Sequence, residues 1–197
     1  QVPELFIEQF PGKEAVIIAD TTTFRVAGEK VNEHLKSSGI SQRSPFIFED
    51  TDLHAEYTHV DRLTSFLKTH DAVAVAVGSG TINDLTKLSS HLAGRSYMCV
   101  ATAASMDGYT SFGASITVDG VKTSIDCPAP RACLADIDII CHAPPEMTAS
   151  GYADLFAKIT AGADWILADS MGEEAIDTTG WSIVQDGLSD ALSDPEG

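Results

Sequence analysis

Residues 71–87 read DAVAVAVGSGTINDLTK, and the layout of the whole chain follows from this run. Val73, Val75 and Val77 alternate with alanine and have no charge among them, the pattern of a parallel strand covered on both faces. The run breaks at Gly78-Ser79-Gly80-Thr81, a turn without bulky side chains, after which Ile82, Leu85 and Leu88 recur at helical spacing. A glycine turn between a strand and a helix start gathers free backbone N–H groups and the positive end of the helix dipole at one point, which suits a phosphate. From the glycines alone, an ordinary strand-to-helix connection fits equally well. Asn83, Asp84 and Lys87 add a compact polar cluster on the helix's opening turns, beside the place a ligand would occupy. Asn83 stands where G-x-G-x-x-G has its third glycine, so the spacing is neither that fingerprint nor a P-loop.

Upstream, Ala15-Val16-Ile17-Ile18-Ala19-Asp20 reads as the first buried strand, closed by a carboxylate and three threonines. Residues 24–35 show helical spacing through Val26, Val31 and Leu35, and Pro45-Phe46-Ile47-Phe48 follows as the next strand. Val60, Leu63, Phe66 and Leu67 give one apolar helix face before the central strand. The βαβαβα alternation predicts an α/β, Rossmann-like parallel sheet whose ligand site lies beyond the carboxyl ends of the strands. Asp20 falls at such an end, where a carboxylate can accept bonds from ribose hydroxyls and repel a 2′-phosphate; capping the next helix is the other role open to it. Downstream, residues 97–101 form a short strand that delivers TAASMDGYTS at 102–111, on its own residues a polar turn. Residues 114–125 carry a hairpin signal at Asp119-Gly120, and residues 132–140 read as a further strand in which Asp136 and Asp138 alternate with Ile137 and Ile139. Pro144-Pro145 then divides residues 1–143, a nucleotide-binding α/β domain, from residues 144–197, the incomplete beginning of a helical domain.

A net charge of −17 argues against nucleic-acid or anionic-membrane partners, which require a basic face. The excess is concentrated after Lys158, where acidic residues continue with no Lys or Arg. Cys99, Cys127, Cys133 and Cys141 show no C-x-x-C spacing, so buried free thiols in a reducing cytoplasm are expected. Neither a membrane helix nor a signal peptide is read from the sequence.

The block Gly78-Ser79-Gly80-Thr81-Ile82-Asn83-Asp84-Leu85-Thr86-Lys87 resembles the nucleotide-binding loop of the sn-glycerol-1-phosphate dehydrogenases, within the iron-containing alcohol dehydrogenase, glycerol dehydrogenase and dehydroquinate synthase superfamily. Asp20 with its threonines, residues 102–111, and Gly151-Tyr152-Ala153-Asp154-Leu155-Phe156-Ala157-Lys158 with Asp164-Trp165 are similar to further blocks of that family. The resemblance implies a Rossmann-like domain followed by an all-helical metal-binding domain. It assigns Asp20, Gly78, Ser79, Gly80, Thr81, Ile82, Thr102, Ala103, Ala104, Ser105 and Ser111 to NAD or NADP, and Asp107 to the substrate. Asp154 becomes a ligand of a catalytic divalent metal that also touches substrate, although by spacing alone Asp154 and Lys158 read as a surface i,i+4 pair. Zinc is the first expectation, with nickel or iron also suited to mixed ligation.

The reaction implied is hydride transfer between NAD(P)H and dihydroxyacetone phosphate, giving sn-glycerol 1-phosphate. A glycerol or alcohol dehydrogenase, a dehydroquinate-synthase-like enzyme and a non-catalytic nucleotide-binding protein are the alternatives. The remaining metal ligands of the family are histidines farther downstream, whereas His34, His54, His59, His70, His91 and His142 all precede Asp154 and read as surface or satisfied side chains. The chain therefore resembles the first half of the family, a truncated fragment expected to be inactive alone and, with Trp165 and Ile166 partly uncovered, to self-associate.

Overall fold

Residues 73–78 are buried at every position, as an uncharged valine and alanine run requires. The computed structural model describes residues 1–193 and divides them into two units, residues 1–104 with 108–143, and residues 105–107 with 144–193. The first unit runs α1 (Val2–Gln9), β1 (Ala15–Asp20), α2 (Thr21–Thr23), a π-helical segment (Phe24–Gly28), α3 (Glu29–Ser37), β2 (Phe46–Phe48), α4 (Tyr57–Leu67), β3 (Val73–Gly78), α5 (Gly80–Leu92), β4 (Met98–Ala101), β5 (Ala114–Val118), β6 (Val121–Ile125), β7 (Ala132–Ala135) and α6 (Ile137–Ile140). Five strands form one sheet in the order β2-β1-β3-β4-β7, and every neighbouring pair is parallel.

The two-residue period of the strands sorts their side chains into two cores. On one face Val16, Ile18, Ala74, Ala76 and Cys99 meet Val60, Leu63 and Leu67 of α4 and Ile82, Leu85 and Leu88 of α5. On the other, Ile17, Val73, Val75, Val77, Met98 and Val100 meet Phe6, Ala27, Val31 and Leu35. Each fully buried large aliphatic contributes about 1.5–3 kcal/mol against exposure, so central strands buried on both faces hold this unit together.

The helical turns after β1 begin at Thr21 rather than at residue 24, and the π-helical segment shifts the apolar face. Val26, expected inside, is 49% exposed, while Ala27 and Gly28 are buried. A wider turn carries more residues than 3.6, so straight α-helical spacing places Val26 on the wrong side. The strand expected over 132–140 stops at Ala135. Asp136 Oδ1 accepts the Asp138 amide at 3.0 Å and caps α6, which converts the second half of the Ile and Asp alternation into a helical turn. The hairpin is present: β5 and β6 pair antiparallel around Asp119 at φ 51° and Gly120 at φ 79°, the left-handed pair that such a turn requires.

His70 is buried and accepts the Ala72 amide on Nδ1 at 3.2 Å, but its Nε2 has no hydrogen-bond partner among the described residues, so this core histidine is only half satisfied. Cys99 and Cys127 are buried, but Cys133 is half-buried and Cys141 is exposed, because the short α6 lies at the surface and leaves its last turn uncovered.

The second unit is built on one 27-residue helix, α7 (Pro145–Met171), opened by Pro145 in its first turn and stopped by Gly172 in the left-handed conformation. Two short helices, α8 (Thr178–Gln185) and α9 (Leu188–Ala191), follow. Tyr152 donates to the Leu192 carbonyl at 2.8 Å, Gln185 donates to the Lys158 carbonyl at 3.0 Å, and Trp165 and Trp181 lie with ring centroids 6.1 Å apart. Among the described residues no helix is long and apolar enough to cross a membrane.

Candidate nucleotide-binding site

Three parallel strands bring their carboxyl ends to one edge of the sheet. β1 finishes at Asp20, β3 at Gly78 and β4 at Ala101, with Gly78 opposite Ala101 in register and the Thr102 amide donating to the Gly78 carbonyl at 3.1 Å. The glycine turn and the start of the 102–111 segment are thus adjacent, although separated in sequence. Gly78 is required there. A Cβ on it would lie 2.5 Å from the Ile82 Cβ, so only glycine lets the strand turn this sharply into α5.

Ser79 precedes α5 in an extended conformation and its side chain makes no cap. The Asn83 amide returns to the Ser79 carbonyl at 3.0 Å, and the Ser79 side chain leaves the amides of the first turn without its cap. Ser79, Gly80 and Thr81 are partly exposed. Amides left uncapped at a partly exposed helix start, on the carboxyl edge of a parallel sheet, are the donor set that a pyrophosphate needs. The residues fit a dinucleotide at this place.

Asp20 caps the helical turns after β1. Its Oδ1 accepts from the Thr22 and Thr23 amides, both at 2.8 Å, and Thr23 Oγ1 accepts from the Asp20 amide at 3.2 Å. The capping role is realised, and both bonds use one carboxylate oxygen, so a ribose contact is compatible with it. Thr102 and Ala103 are buried, while Ala104 and Ser111 are exposed.

The polar cluster on α5 faces inward. Asn83 is fully buried, accepts the Tyr97 hydroxyl at 2.8 Å on Oδ1 and donates to the Tyr109 carbonyl at 3.4 Å. Tyr109 donates in turn to the Ala103 carbonyl at 2.7 Å. Lys87, with no side-chain exposure, gives its ammonium to the carbonyls of Gly108, Ser111 and Gly113 at 3.3, 3.0 and 3.0 Å. Asp84 accepts the Ser115 amide at 3.3 Å and lies 3.9 Å from Lys87 Nζ. Burial raises the Asp84 carboxyl above its ordinary range, against the opposing pull of Lys87 and the Ser115 amide. The sequence marked Asn83, Asp84 and Lys87 as polar neighbours of a ligand, whereas they grip the 108–115 segment. Tyr97 and Tyr109, which complete the network, carried no signal: a tyrosine opening an apolar strand reads as core.

The second unit brings Asp107 and Asp154 together. The Asp107 amide donates to Asp154 Oδ2 at 3.0 Å, and Lys158 Nζ lies 3.0 Å from Asp107 Oδ2 and 3.8 Å from Asp154 Oδ1. The i,i+4 pair read from the sequence is therefore the looser half of a three-residue cluster, and the Asp107 contact, distant in sequence, was not legible. Ser105 belongs to the same unit. Among the described residues no group of three or more His, Cys, Asp or Glu side chains is disposed to hold a metal ion. Two carboxylates flanked by a lysine do not make up the donor set of a catalytic divalent cation, which takes three protein ligands.

Residues 1–144 match the profile of the family described as iron-containing alcohol dehydrogenase. The chain belongs to that family. Its relatives include the glycerol-1-phosphate dehydrogenase [NAD(P)+] of Bacillus velezensis, 33% identical over 186 residues that cover 93% of this chain and 47% of that protein. The enzyme of the same name from Geobacillus thermodenitrificans is 37% identical over 164 residues, 82% of this chain and 41% of the relative. The chain thus spans less than half the length of these two relatives. Among solved structures, NADH-dependent butanol dehydrogenase A from Thermotoga maritima superposes with a TM-score of 0.68 at 18% identity, over 81% of this chain and 46% of that one. At that identity the likeness concerns the fold, and it agrees with the Rossmann-like α/β class read from the sequence.

Proposed function

We propose that this chain is the nucleotide-binding part of an NAD(P)-dependent glycerol-1-phosphate dehydrogenase, which interconverts dihydroxyacetone phosphate and sn-glycerol 1-phosphate. The observation that carries this reading is the uncapped first turn of α5, set beside the 102–111 segment at the carboxyl edge of a parallel sheet. The names of the two relatives, both at 33% identity or more, support this choice of substrate.

In this reading the amides of Ser79, Gly80, Thr81 and Ile82 receive the pyrophosphate, and Gly78 keeps the turn narrow enough for it. Asp20 orients the adenine ribose, which favours NAD over NADP. Thr102, Ala103, Ala104 and Ser111 line the remainder of the cofactor; for Ser105 a cofactor contact and for Asp107 a substrate hydroxyl are the roles that the family resemblance implies. The bound nicotinamide supplies the hydride. Asp154 contributes one carboxylate toward a divalent metal, zinc first and nickel or iron next, and also touches substrate. A small-molecule phosphate substrate, a cytoplasmic setting and a homo-oligomeric state complete the proposal.

With one assigned metal ligand, this chain alone is expected to bind nucleotide without turning substrate over. Fluorescence titration with NADH tests the first half, and a metal-supplemented assay of glycerol 1-phosphate oxidation by the purified chain tests the second. Saturable NADH binding without turnover is the expected result. Absence of binding contradicts the nucleotide reading, and robust metal-dependent turnover contradicts the fragment reading.

A further inference from the structure

Lys87 is an expensive residue to bury. Its side chain is fully enclosed, and taking an ammonium out of water costs several kcal/mol unless its donors are met. Here they are met by backbone. The three acceptors, the carbonyls of Gly108, Ser111 and Gly113, all belong to one short segment, and the nearest carboxylate, Asp84, stands farther off at 3.9 Å. A simple ion pair would place the carboxylate closest. An ammonium shared by three carbonyls of one irregular segment is instead the arrangement that fixes the path of that segment: the Ser111 and Gly113 carbonyls take it as donor at 3.0 Å, and the Gly108 carbonyl, which also accepts from the Ser111 amide and hydroxyl, ties the turn to them.

The segment so fixed contains Ser111 and begins five residues after Ala103, and its Tyr109 hydroxyl donates back to the Ala103 carbonyl just past the end of β4. The helix that carries Lys87 is the one that begins at the glycine turn. We infer that Lys87 is a positioning residue: through the carbonyls of Gly108, Ser111 and Gly113 it clamps the second wall of the nucleotide site to the helix whose first turn forms the other. The inference rests on the nucleotide reading above and adds to it the residue that sets the two walls in register. Asn83 works at the same joint one helical turn earlier, through Tyr97 and the Tyr109 carbonyl.

The test uses the whole chain. Amide hydrogen exchange and NADH titration are carried out on the unsubstituted protein, on Lys87→Met and on Lys87→Arg. In Lys87→Met the amides of residues 108–113 are expected to exchange about tenfold faster or more, while those of β1, β3 and β4 keep their rates. The Kd for NADH is expected to rise about tenfold, as for a supporting residue that sets the geometry of a site without touching its ligand. Lys87→Arg, which keeps a cation on the same turn, recovers part of both effects.

Unchanged exchange at 108–113 in a folded Lys87→Met overturns the clamp. Faster exchange with unchanged NADH affinity overturns the positioning role. Should Lys87→Met not fold, Lys87→Gln, which keeps donors at shorter reach, is judged by the same two readings. If the unsubstituted chain does not bind NADH, the nucleotide reading falls and the positioning role with it, while the exchange contrast still decides whether the clamp exists.

Discussion

At the scale of single residues, Gly78, Asp20 and Asp84 each carry a consequence that can be measured. Gly78→Ala sets a methyl 2.5 Å from the Ile82 Cβ, both joined to stiff backbone, so the start of α5 must move. The expected cost is about 1–3 kcal/mol in urea unfolding, with loss of NADH affinity. Asp20→Ser keeps a capping oxygen for the Thr22 and Thr23 amides but removes the charge that would face a 2′-phosphate. The ratio of NADPH to NADH affinity is then expected to rise about tenfold, since a like charge is removed; an unchanged ratio assigns Asp20 to capping alone. Asp84 is a carboxyl whose folded pKa is raised, above all by burial. Folding therefore tightens its hold on the proton. Its contribution to stability is full below the unfolded value of about 3.9 and is lost as the pH rises through the folded one. Measured by urea unfolding, the stability of wild type minus that of Asp84→Asn should fall as the pH is raised from about 4 toward neutrality, and a difference that grows over this window would show that Lys87 and the Ser115 amide outweigh burial.

At the scale of elements, the hairpin and the helices after β1 and β7 show what local sequence can and cannot decide. Asp119-Gly120 fixes its turn through left-handed backbone that glycine accepts freely, so Gly120→Ala should cost about 1 kcal/mol by the same unfolding assay, with the rest of the fold intact. The buried strands of this unit, β1, β3 and β4, were legible because their runs carry no charged side chain before the Asp20 that closes β1. The glycine turn was legible because few residue types serve there. Two features were not. The π-helical segment changes residues per turn without changing composition, so Val26 was placed inside by an arithmetic the backbone does not follow. At 132–140 strand-like alternation met a carboxylate that could cap, and the local Asp136 bond won once β7 had run its four residues beside β4. The candidate site divides in the same way: the amide donors could be read from spacing, but the inward grip of Asn83 and Lys87 depends on a segment more than twenty residues away.

At the scale of the whole molecule, two units of different character share the chain. The α/β unit encloses two apolar cores, whereas the helical unit leaves Phe156, Ile166, Leu167 and Met171 more than half exposed on α7. Such a face favours association. Sedimentation velocity over a range of concentrations should show reversible self-association that Phe156→Ser with Ile166→Ser reduces, and a strictly monomeric chain at all concentrations would contradict this.

The central claim is that amides at the end of a valine-rich strand receive a dinucleotide's phosphates. Amide NMR shifts of the labelled chain during NADH titration test it most directly. Saturable changes that are largest at Gly80, Thr81, Ile82 and Thr102 are expected; no saturation, or changes that leave these amides still while others move, would contradict phosphate binding at this turn.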